Sequence, residues 1–448
     1  MNSIDYFAVS SAVSPVVIVG AGFGGIQAAR SLARQGISVL LIDRQPYHLF
    51  TPFLHQVAMA ELEPDQVGIP IRQMLRPHRA TAFAQRASRS FPQVQFLQTE
   101  VKAIRWDKRM LDTAAGLVPF EFLVLAAGSS TQAEKVPGAA QYTLPLKTLP
   151  QAIDLRDRIL ASVEQATQEL DPIRQQEWLT FAVIGGGSTG VEVAGSLAEW
   201  IRESLSKNYS MLDQSQFRVV LLHSGDRLLE TMAPHLSRYT ERELKRLGVE
   251  IWLQSAVTEV EAGRVTVKTG DQINSIAAQT IVWAGGIRVS VPESWQLPVT
   301  ESGRVAVSSS LNLLESPQVY AIGDLAEVMW DDRPLPMLAP TAVAQGETVA
   351  QNILRQMRGQ VPLPYRHIDR GTMTILSRLR AVVQRGEFTM TGFPAWLLWL
   401  GFHWGILPGV RQRIIVLIHW LFNHLRRDRI PVAVVRASGG RQKANVAE

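Results

Sequence analysis

The chain has 448 residues, of which 46% are hydrophobic and 19% are charged, and this balance is typical of a globular protein with two or three domains. It contains no cysteine, which excludes disulfides, thiolate metal sites and redox-active dithiols. The formal net charge of +5 suits an anionic surface or nucleotide ligands and is too small to indicate nucleic-acid binding. Residues 1–15 lack the basic start and apolar run of a signal peptide, so we expect a frayed lead-in.

The first motif is a glycine-rich turn between a strand and a helix. A β-branched run at Val16–Val19 is followed by GAGFGG and the helical pattern IQAARSLARQG. The glycines of the GxGxxG fingerprint are Gly20, Gly22 and Gly25. A second strand, predicted over 37–42, ends in Asp43, eighteen residues after Gly25, where an acid is expected to bond the ribose of a dinucleotide. The pattern therefore predicts a β-α-β dinucleotide-binding unit.

The same pattern recurs later in the chain. A strand at 181–184 precedes GGGSTG, with Gly185, Gly187 and Gly190 in the fingerprint positions, and the next strand, 218–222, ends at His223. Two such units indicate two dinucleotides, and a resident flavin with an exchanging nicotinamide is the natural pair because the flavin can accept the hydride.

Three further segments fit this plan. Residues 120–131 and 280–288 each predict a buried strand followed by a turn of small residues, and 319–325 predict a strand ending in Gly323-Asp324. That pair is either a simple turn or a carboxylate held beside the ribityl chain of a flavin, and the sequence leaves both interpretations open.

The motifs GAGFGGIQAA, DRQPYHLFTPFLHQVA, LVLAAG, VIGGGSTGVEVAGSLAE and YAIGD, in this order, resemble the type II NAD(P)H:quinone oxidoreductases, also called alternative NADH dehydrogenases. The resemblance extends over about residues 16–435. Related disulfide reductases and sulfide:quinone reductases depend on cysteine pairs, so a chain without cysteine excludes their chemistry.

The resemblance implies non-covalent FAD in the first unit and NADH or NADPH in the second. The positions that match the FAD contacts of the family are Gly20, Gly22, Gly24, Gly25, Asp43, Arg44, the backbone of Val101, Ala127, Gly128, Gly323 and Asp324. Ala127 stands where the family usually has a threonine. The nicotinamide nucleotide is expected on Gly185, Gly187 and Gly190.

The resemblance also implies a catalytic position for Glu192, close to flavin and nicotinamide. The alternative is that this carboxylate only complements the N-terminus of its helix, where negative charge is stabilised.

The second unit departs from the family at the end of its second strand. The usual acid, which bonds the ribose 2′-hydroxyl, is replaced by His223 and Ser224. Without that acid we expect NADPH to be tolerated far better, with His223, Ser224 and Arg227 as candidates to meet a 2′-phosphate. The alternative is that the protein still uses NADH but discriminates less strongly against NADPH.

The quinone site implied by the resemblance has a second departure. In APTAVAQGETVAQN, Pro340 and Ala344 occupy the positions of the two glutamines usual in the family, and Gln345 lies next to them. Quinone is therefore expected as the acceptor, without the usual pair of amides.

The C-terminal stretch FPAWLLWLGFHWGILPGVRQRIIVLIHWLFNHLRR is as apolar as a membrane span but is broken by Pro394, Pro408, Arg411 and Arg413. Crossing a bilayer takes about 20 unbroken apolar residues, so two interfacial helices explain the pattern better than one span. Its four tryptophans and its arginines suit a lipid headgroup surface. The alternative is a buried helical hairpin, for example in a homodimer interface.

The sequence thus predicts an α/β protein with two doubly wound dinucleotide-binding domains and a helical membrane-binding region. We expect an FAD domain over 14–146 and 288–364, an NAD(P)H domain over 147–287 and an anchoring region over 365–448. The expected function is NAD(P)H:quinone oxidoreduction without proton pumping, by a peripheral, monotopic protein on the cytoplasmic face of a membrane. A low-turnover flavin redox sensor and an NADPH diaphorase with another acceptor are the alternatives.

Overall fold

A computed structural model describes residues 15–76 and 94–426, with side chains described as far as Phe422. The expected lead-in before residue 15 and the end of the predicted anchoring region, 427–448, lie outside the described residues. The chain divides into two compact units. Of the described residues, the first unit contains 15–50, 68–76, 94–132 and 287–371, and the second contains 51–67, 133–286 and 372–426.

The first unit is built on a five-stranded parallel sheet. Its central strand, Val16–Val19, is completely enclosed by neighbours and pairs with Val39–Asp43 on one side and Phe122–Leu125 on the other. Runs of β-branched and aliphatic residues form these strands because both faces of a parallel sheet are covered, so that no polar alternation is needed. Helix Phe23–Arg34 covers the sheet with the residues of its apolar stripe, among them Ile26, Ala29 and Leu32.

The remaining elements of the first unit are shorter. The outer strands of the parallel sheet are Val94–Gln98 and Val319–Ala321. An antiparallel sheet contains Val101–Arg105, Met110–Thr113 and Gly116–Pro119. Two-stranded pairs join Tyr47–Leu49 with Gly68–Pro70, Ser130–Thr131 with Ile287–Arg288, Val305–Ala306 with Ala326–Glu327, and Met329–Trp330 with Arg333–Pro334. The other helices are Ile71–Met74 and Ala339–Met357, with 3₁₀ turns at Trp106–Lys108, Glu293–Trp295 and Gly323–Leu325.

The second unit repeats the plan. Its parallel sheet has the strand order Leu144–Pro145, Thr280–Trp283, Thr180–Ile184, Arg218–Leu222 and Val249–Trp252. Two antiparallel sheets are added, one of Ser255–Glu261, Arg264–Thr269 and Gln272–Ala277, and one of Thr372–Ser377, Arg380–Arg385 and Phe388–Thr391. The expected doubly wound α/β class is therefore confirmed in both units.

The helices of the second unit have the following bounds. They are Leu54–Ala58, Pro64–Val67, Ala139–Tyr142, Leu149–Gln168, Pro172–Trp178, Ser188–Trp200, Ser206–Asn208, Pro234–Arg246, Gly392–Ile406 and Val410–Arg426. A π-helical turn at Ile201–Leu205 continues helix Ser188–Trp200, and 3₁₀ turns occur at Thr51–Phe53, Ala133–Lys135 and Gln214–Gln216.

Strand Thr372–Ser377 lies along one stripe of helix Ser188–Trp200. The contacts follow the helical repeat: Thr374 Oγ1 donates to Ser188 Oγ at 2.8 Å, Glu192 accepts from the backbone N–H of Ile375, and Glu199 accepts from the backbone N–H of Arg378 at 3.1 Å. Between them, a methyl group added to Gly195 would lie 1.8 Å from the carbonyl oxygen of Leu376. Residues 188, 192, 195 and 199 form one face of a helix, so the sequence of this stripe fixes where the strand lies.

Two helices form the apolar C-terminal stretch. Gly392–Ile406 and Val410–Arg426 are separated at Leu407–Gly409, where Pro408 cannot continue the first helix and Gly409 adopts φ +87°. Across residues 15–76 and 94–426, none of the helices is both long enough and apolar enough to cross a bilayer.

We expect Gly195→Ala to lower the free energy of unfolding of the second unit by about 1 to 3 kcal/mol, because the helix and the strand must move apart to admit the methyl group. Gly401→Ala is the matched control. Gly401 lies within helix Gly392–Ile406 and nothing stands within 4 Å of an added methyl group. Alanine there should be neutral or stabilising. Urea unfolding of both variants checks this, and equal effects of the two substitutions would contradict the packing argument.

Candidate functional site

The first glycine loop brings the backbone of three segments into direct contact. A methyl group on Gly20 would lie 2.2 Å from the carbonyl oxygen of Ala126, and one on Gly25 would lie 1.9 Å from that of Gly20. At Gly22, the N-cap of helix Phe23–Arg34, nothing lies within 4 Å of such a methyl group. The loop is thus closed towards the sheet and open at the helix N-terminus, where backbone N–H groups and the helix dipole attract phosphate. This geometry fits the pyrophosphate of FAD.

Asp43 holds this loop in shape. Its Oδ2 accepts from the backbone N–H of Ala21 at 2.7 Å, and its Oδ1 accepts from that of Gln45 at 2.7 Å. A carboxylate has about four lone-pair sites, so acceptor capacity remains for a ribose hydroxyl. Asp43, the residue predicted to recognise a ribose, therefore lies beside the loop and can still accept a hydrogen bond from a ribose hydroxyl.

His48, which the sequence analysis did not single out, supports the loop from the other side. The side chain is 2% exposed, its Nδ1 lies 2.9 Å from the carbonyl oxygen of Ala21, and its ring meets Phe23 edge-on with 4.9 Å between centroids. Burial lowers the pKa of His48 to about 4, so the ring is neutral at pH 7. Since the partner is a carbonyl, Nδ1 carries the proton and donates it.

The other predicted FAD positions of the first unit occur at strand ends and turns. Gly128, with φ +74°, and Ala127 follow strand Phe122–Leu125, and Ser129 Oγ donates to Asp324 Oδ2 at 2.5 Å. Trp295 Nε1 donates to the carbonyl of Val101 at 3.4 Å. Gly24 is buried in helix Phe23–Arg34, whereas Arg44 is exposed directly after the second strand. Their roles towards FAD remain predictions.

The three candidate quinone positions lie in the first turns of helix Ala339–Met357. Pro340 and Ala344 are half-buried and present no hydrogen-bonding side chain. Gln345 is completely buried, and its Oε1 accepts from the backbone N–H of Gly323 at 2.6 Å. Gln345 Nε2 finds no hydrogen-bond partner among the described residues. A buried donor of this kind fits an acceptor atom of a bound cofactor, which supports FAD in the first unit.

The second glycine loop reproduces the first. A methyl group on Gly185 would lie 2.3 Å from the carbonyl oxygen of Ala284, and one on Gly190 would lie 1.8 Å from that of Gly185. Nothing lies within 4 Å of one on Gly187, the N-cap of helix Ser188–Trp200. Two separately encoded loops therefore have the same phosphate-binding shape.

Glu192 lies one turn into helix Ser188–Trp200. Its Oε2 lies 3.5 Å from Nδ1 of the buried His55, and its side chain is 15% exposed. Burial raises the pKa of Glu192 to about 8, and the hydrogen bond from the backbone of Ile375 opposes that shift only in part. The carboxyl group is therefore mainly protonated at pH 7. Its placement away from the first N–H groups of the helix disfavours the interpretation as a mere helix-terminus charge.

His223 and Ser224 follow strand Arg218–Leu222, beside the second loop. His223 Nδ1 accepts from the backbone N–H of Gly186 at 3.2 Å, and its Nε2 lies 3.4 Å from Glu230 Oε1. Ser224 is exposed. Arg227 donates to the carbonyl groups of Glu230 and Met232, at 2.6 and 2.7 Å.

An aromatic cluster, also absent from the sequence analysis, joins the C-terminal helices to residues 51–58. Phe53 lies 5.7 Å from Trp399 and 5.3 Å from Trp420 between ring centroids, and Trp420 Nε1 donates to Gln56 Oε1 at 3.1 Å. Burial lowers the pKa of His403, whose ring lies 4.5 Å from that of Trp399, to about 4. His48, Phe53, His55 and Gln56 all lie within DRQPYHLFTPFLHQVA, so that motif was the signal that could have identified them.

Comparison with known proteins places this geometry in a class. The sequence profile of the pyridine nucleotide-disulphide oxidoreductase family matches residues 14–346. Among solved structures, NDH2 of Plasmodium falciparum in complex with NADH is similar with a TM-score of 0.84 and 17% identity, over 93% of this chain and 99% of that chain. Sulfide:quinone oxidoreductase of Aquifex aeolicus has a TM-score of 0.68 at 16% identity, over 93% of this chain and 92% of that chain. The chain belongs to the pyridine nucleotide-disulphide oxidoreductase family.

Full-length relatives narrow the class. The type II NADH:quinone oxidoreductase Ndh of Mycobacterium tuberculosis is 32% identical over 97% of this chain and 93% of its own length. The type II NADH:quinone oxidoreductase of Haemophilus influenzae is 28% identical over 82% of this chain and 86% of its own. The chain is therefore a member of the type II NADH:quinone oxidoreductases, and the resemblance predicted from its motifs is confirmed.

The neutral state of His48 predicts a pH dependence of stability. Its pKa is about 4 in the folded protein against an ordinary 6.5, so the unfolded chain binds the proton more tightly. The stabilising contribution is complete above pH 6.5 and is lost as the pH falls towards 4. From pH 7 to pH 5 the loss is about 2 kcal/mol.

In His48→Asn an amide N–H replaces Nδ1–H and does not titrate. Urea unfolding at pH 7 and pH 5 should show a free energy of unfolding that falls less in this variant than in the wild type, by about 2 kcal/mol. His403 contributes equally to both proteins and cancels in the comparison. Parallel losses in the two proteins would contradict the assignment of a neutral, donating His48.

Proposed function

We propose that the protein is a non-proton-pumping, FAD-dependent oxidoreductase that passes electrons from NAD(P)H to a quinone. The observation that carries the proposal is the repeated glycine loop, closed at Gly20 and Gly25 and again at Gly185 and Gly190, in a cysteine-free member of the type II family. When bound, FAD supplies the acceptor for the hydride and the donor of two electrons to the quinone. The FAD-binding part is proposed as 14–146 and 288–364, and the NAD(P)H-binding part as 147–287.

The residues of the chain are proposed to bind and orient the two nucleotides. The open positions at Gly22 and Gly187 allow a pyrophosphate to approach each helix N-terminus, and Asp43 keeps acceptor capacity for a ribose. His48 keeps the FAD loop in place by its bond to Ala21.

Glu192 is proposed to act as a neutral carboxylic acid towards the nicotinamide. With a pKa of about 8 it is protonated at pH 7, so it offers both a donor and an acceptor, as a carboxamide requires, and it does not repel the phosphates of the nucleotide. Nδ1 of the buried His55 lies 3.5 Å from its Oε2.

The quinone positions Pro340 and Ala344 and the neighbouring Gln345 are proposed to border the acceptor. Pro340 and Ala344 supply surface without hydrogen bonds, and Gln345 supports the turn at Gly323. We therefore expect the quinone to be held mainly by apolar contact.

The test is anaerobic reduction of the purified protein. NADH should bleach the flavin absorbance of the yellow holoprotein, and a short-chain quinone added afterwards should restore it with continuous turnover. A protein that is reduced but not reoxidised by quinone would support the redox sensor or the diaphorase, and failure of both nucleotides to reduce bound FAD would contradict the proposal.

The C-terminal helices are proposed to bind a membrane surface from the cytoplasmic side, where the water-soluble donor is available. On helix Val410–Arg426 a row of apolar side chains is exposed and follows the helical repeat. Its members are Ile414, Leu417, Ile418, Leu421 and Phe422, which are 47 to 60% exposed. The opposite stripe, Gln412, Val416 and Trp420, is buried against the unit. Phe393, Leu397 and Leu398 extend the exposed apolar surface onto the preceding helix, and Arg411 lies exposed beside it. An apolar face flanked by arginine fits an anionic lipid surface.

We expect the double variant Leu417→Glu/Leu421→Glu to lose co-sedimentation with anionic liposomes, because each leucine contributes about 1 to 2 kcal/mol of apolar burial and each glutamate is repelled by the lipid. Reduction of flavin by NADH should remain. Ile173→Glu, which changes an even more exposed apolar side chain of the same unit, should bind liposomes like the wild type. A double variant that still sediments would contradict the assignment, and one that loses only self-association would assign the face to a homodimer.

A further inference from the structure

The two dinucleotide loops differ in how their second strand ends. In the first unit Asp43 accepts from the backbone N–H of Ala21, the residue after Gly20, and retains further lone pairs. In the second unit His223 Nδ1 accepts from the backbone N–H of Gly186, the residue after Gly185. An aspartate at this position supports the loop and accepts a hydrogen bond from the ribose. His223, at the equivalent position, supports the loop in the same way.

The ring of His223 cannot also accept a hydrogen bond from a ribose hydroxyl. A neutral imidazole has a single acceptor nitrogen, and here it is Nδ1, which Gly186 already uses. Nε2 then carries the proton; it lies 3.4 Å from Glu230 Oε1, close enough for electrostatic attraction but without the geometry of a hydrogen bond. No acceptor of His223 remains for a ribose hydroxyl, whereas the carboxylate of Glu230 is about half exposed and has lone pairs to spare.

The surrounding backbone leaves room for this pair. A methyl group on Gly186 would lie 2.6 Å from His223 Cγ, so the ring lies directly on the glycine loop. A methyl group on Gly225 would lie 1.6 Å from Glu230 Oε1 and 2.8 Å from His223 Nε2. Gly225 thus provides the space in which the carboxylate meets the imidazole.

The segment that carries Glu230 is held against the loop. Leu229 N donates to the carbonyl of Gly186 at 2.9 Å, and Leu228 and Leu229 are buried. Arg227 Nη2 donates to the carbonyl of Glu230 at 2.6 Å, while its Nη1 is bonded to the carbonyl of Met232. The guanidinium group of Arg227 is therefore engaged in fixing the segment and does not meet a 2′-phosphate in this arrangement.

We infer that Glu230, positioned by His223, takes the place of the missing acid and selects NADH over NADPH. The inference rests on the proposed function of the second loop. The carboxylate accepts a hydrogen bond from the 2′-hydroxyl of NADH. It repels the 2′-phosphate of NADPH, which carries close to two negative charges. It differs from the expectation from the sequence alone, in which the absence of an acid at position 223 would let NADPH be tolerated far better than in relatives with that acid.

The test measures flavin reduction in the FAD-loaded full-length protein at limiting concentrations of NADH and NADPH. The wild type should use NADH at least tenfold better. Glu230→Gln removes the charge, and Gly225→Ala keeps the charge but displaces the carboxylate. In both variants the ratio of the NADH rate to the NADPH rate should fall at least fivefold, mainly because the rate with NADPH rises. Glu261→Gln, which removes an exposed charge at the end of strand Ser255–Glu261, is the matched control and should leave the ratio unchanged.

A ratio in Glu230→Gln within twofold of the wild-type ratio would overturn the inference while leaving the proposed function intact, because the flavin is still reduced. A wild type that uses both nucleotides equally well would overturn it in the same way. If neither nucleotide reduces the bound flavin in the wild type, the proposed function fails and the inference fails with it. Dissociation constants for NAD⁺ and NADP⁺ should change in the same direction as the rates, which separates recognition of the ribose from an effect on hydride transfer.

Discussion

Backbone-to-backbone contact at the two glycine loops is the constraint on which the rest of the structure depends. Helices Phe23–Arg34 and Ser188–Trp200 approach their loops so closely that an added methyl group at Gly25 or Gly190 would stand within 1.9 Å of a carbonyl oxygen. This contact places each helix N-terminus at the end of its parallel sheet, where a phosphate can reach it. The side chains that support the loops, Asp43 and His48 in one unit and His223 in the other, act by holding the backbone in that position.

Helix Ser188–Trp200, which follows the second glycine loop, has two roles in the second unit. One end of helix Ser188–Trp200 forms the proposed phosphate site, and strand Thr372–Ser377 packs along one of its stripes. The same strand donates a backbone hydrogen bond to Glu192, and its sheet leads directly into helix Gly392–Ile406. The proposed membrane-binding helices therefore continue a sheet that contacts the proposed catalytic carboxyl group.

Local patterns predicted the parts of the structure that depend on neighbouring residues. Strands Val16–Val19 and Arg218–Leu222 were predicted at their observed bounds, because apolar runs next to glycine turns have a local signature. The second strand of the first unit was predicted over 37–42, which begins two residues before the observed strand Val39–Asp43 and stops one residue before its end. The break between the two C-terminal helices was predicted from Pro408 and from Arg411 and Arg413. The structure places it at residues 407–409, and both arginines lie within the second helix.

Contacts that depend on the folded chain, within either unit, were not predictable in the same way. Glu230 lies seven residues beyond His223, and only the folded loop brings its carboxylate to the imidazole. The pairing of Gly195 with Leu376 joins positions 181 residues apart in the sequence, and no periodicity indicates it. Gln345 was predicted to lie near a quinone, and its buried bond to Gly323 became visible only when both ends were placed. Such features depend on packing, which a single sequence does not encode locally.

The central claim is that the chain contains two separate dinucleotide sites with the same loop geometry. Gly22→Ala and Gly187→Ala test it most directly, because among the described residues nothing lies within 4 Å of an added methyl group at either position, so that the group would obstruct a ligand. The measurement is the FAD content of each purified variant together with its affinity for NAD⁺. The account predicts that Gly187→Ala retains FAD but binds NAD⁺ at least tenfold more weakly, and that Gly22→Ala loses FAD but keeps its affinity for NAD⁺. Equal losses of both ligands in the two variants would contradict it.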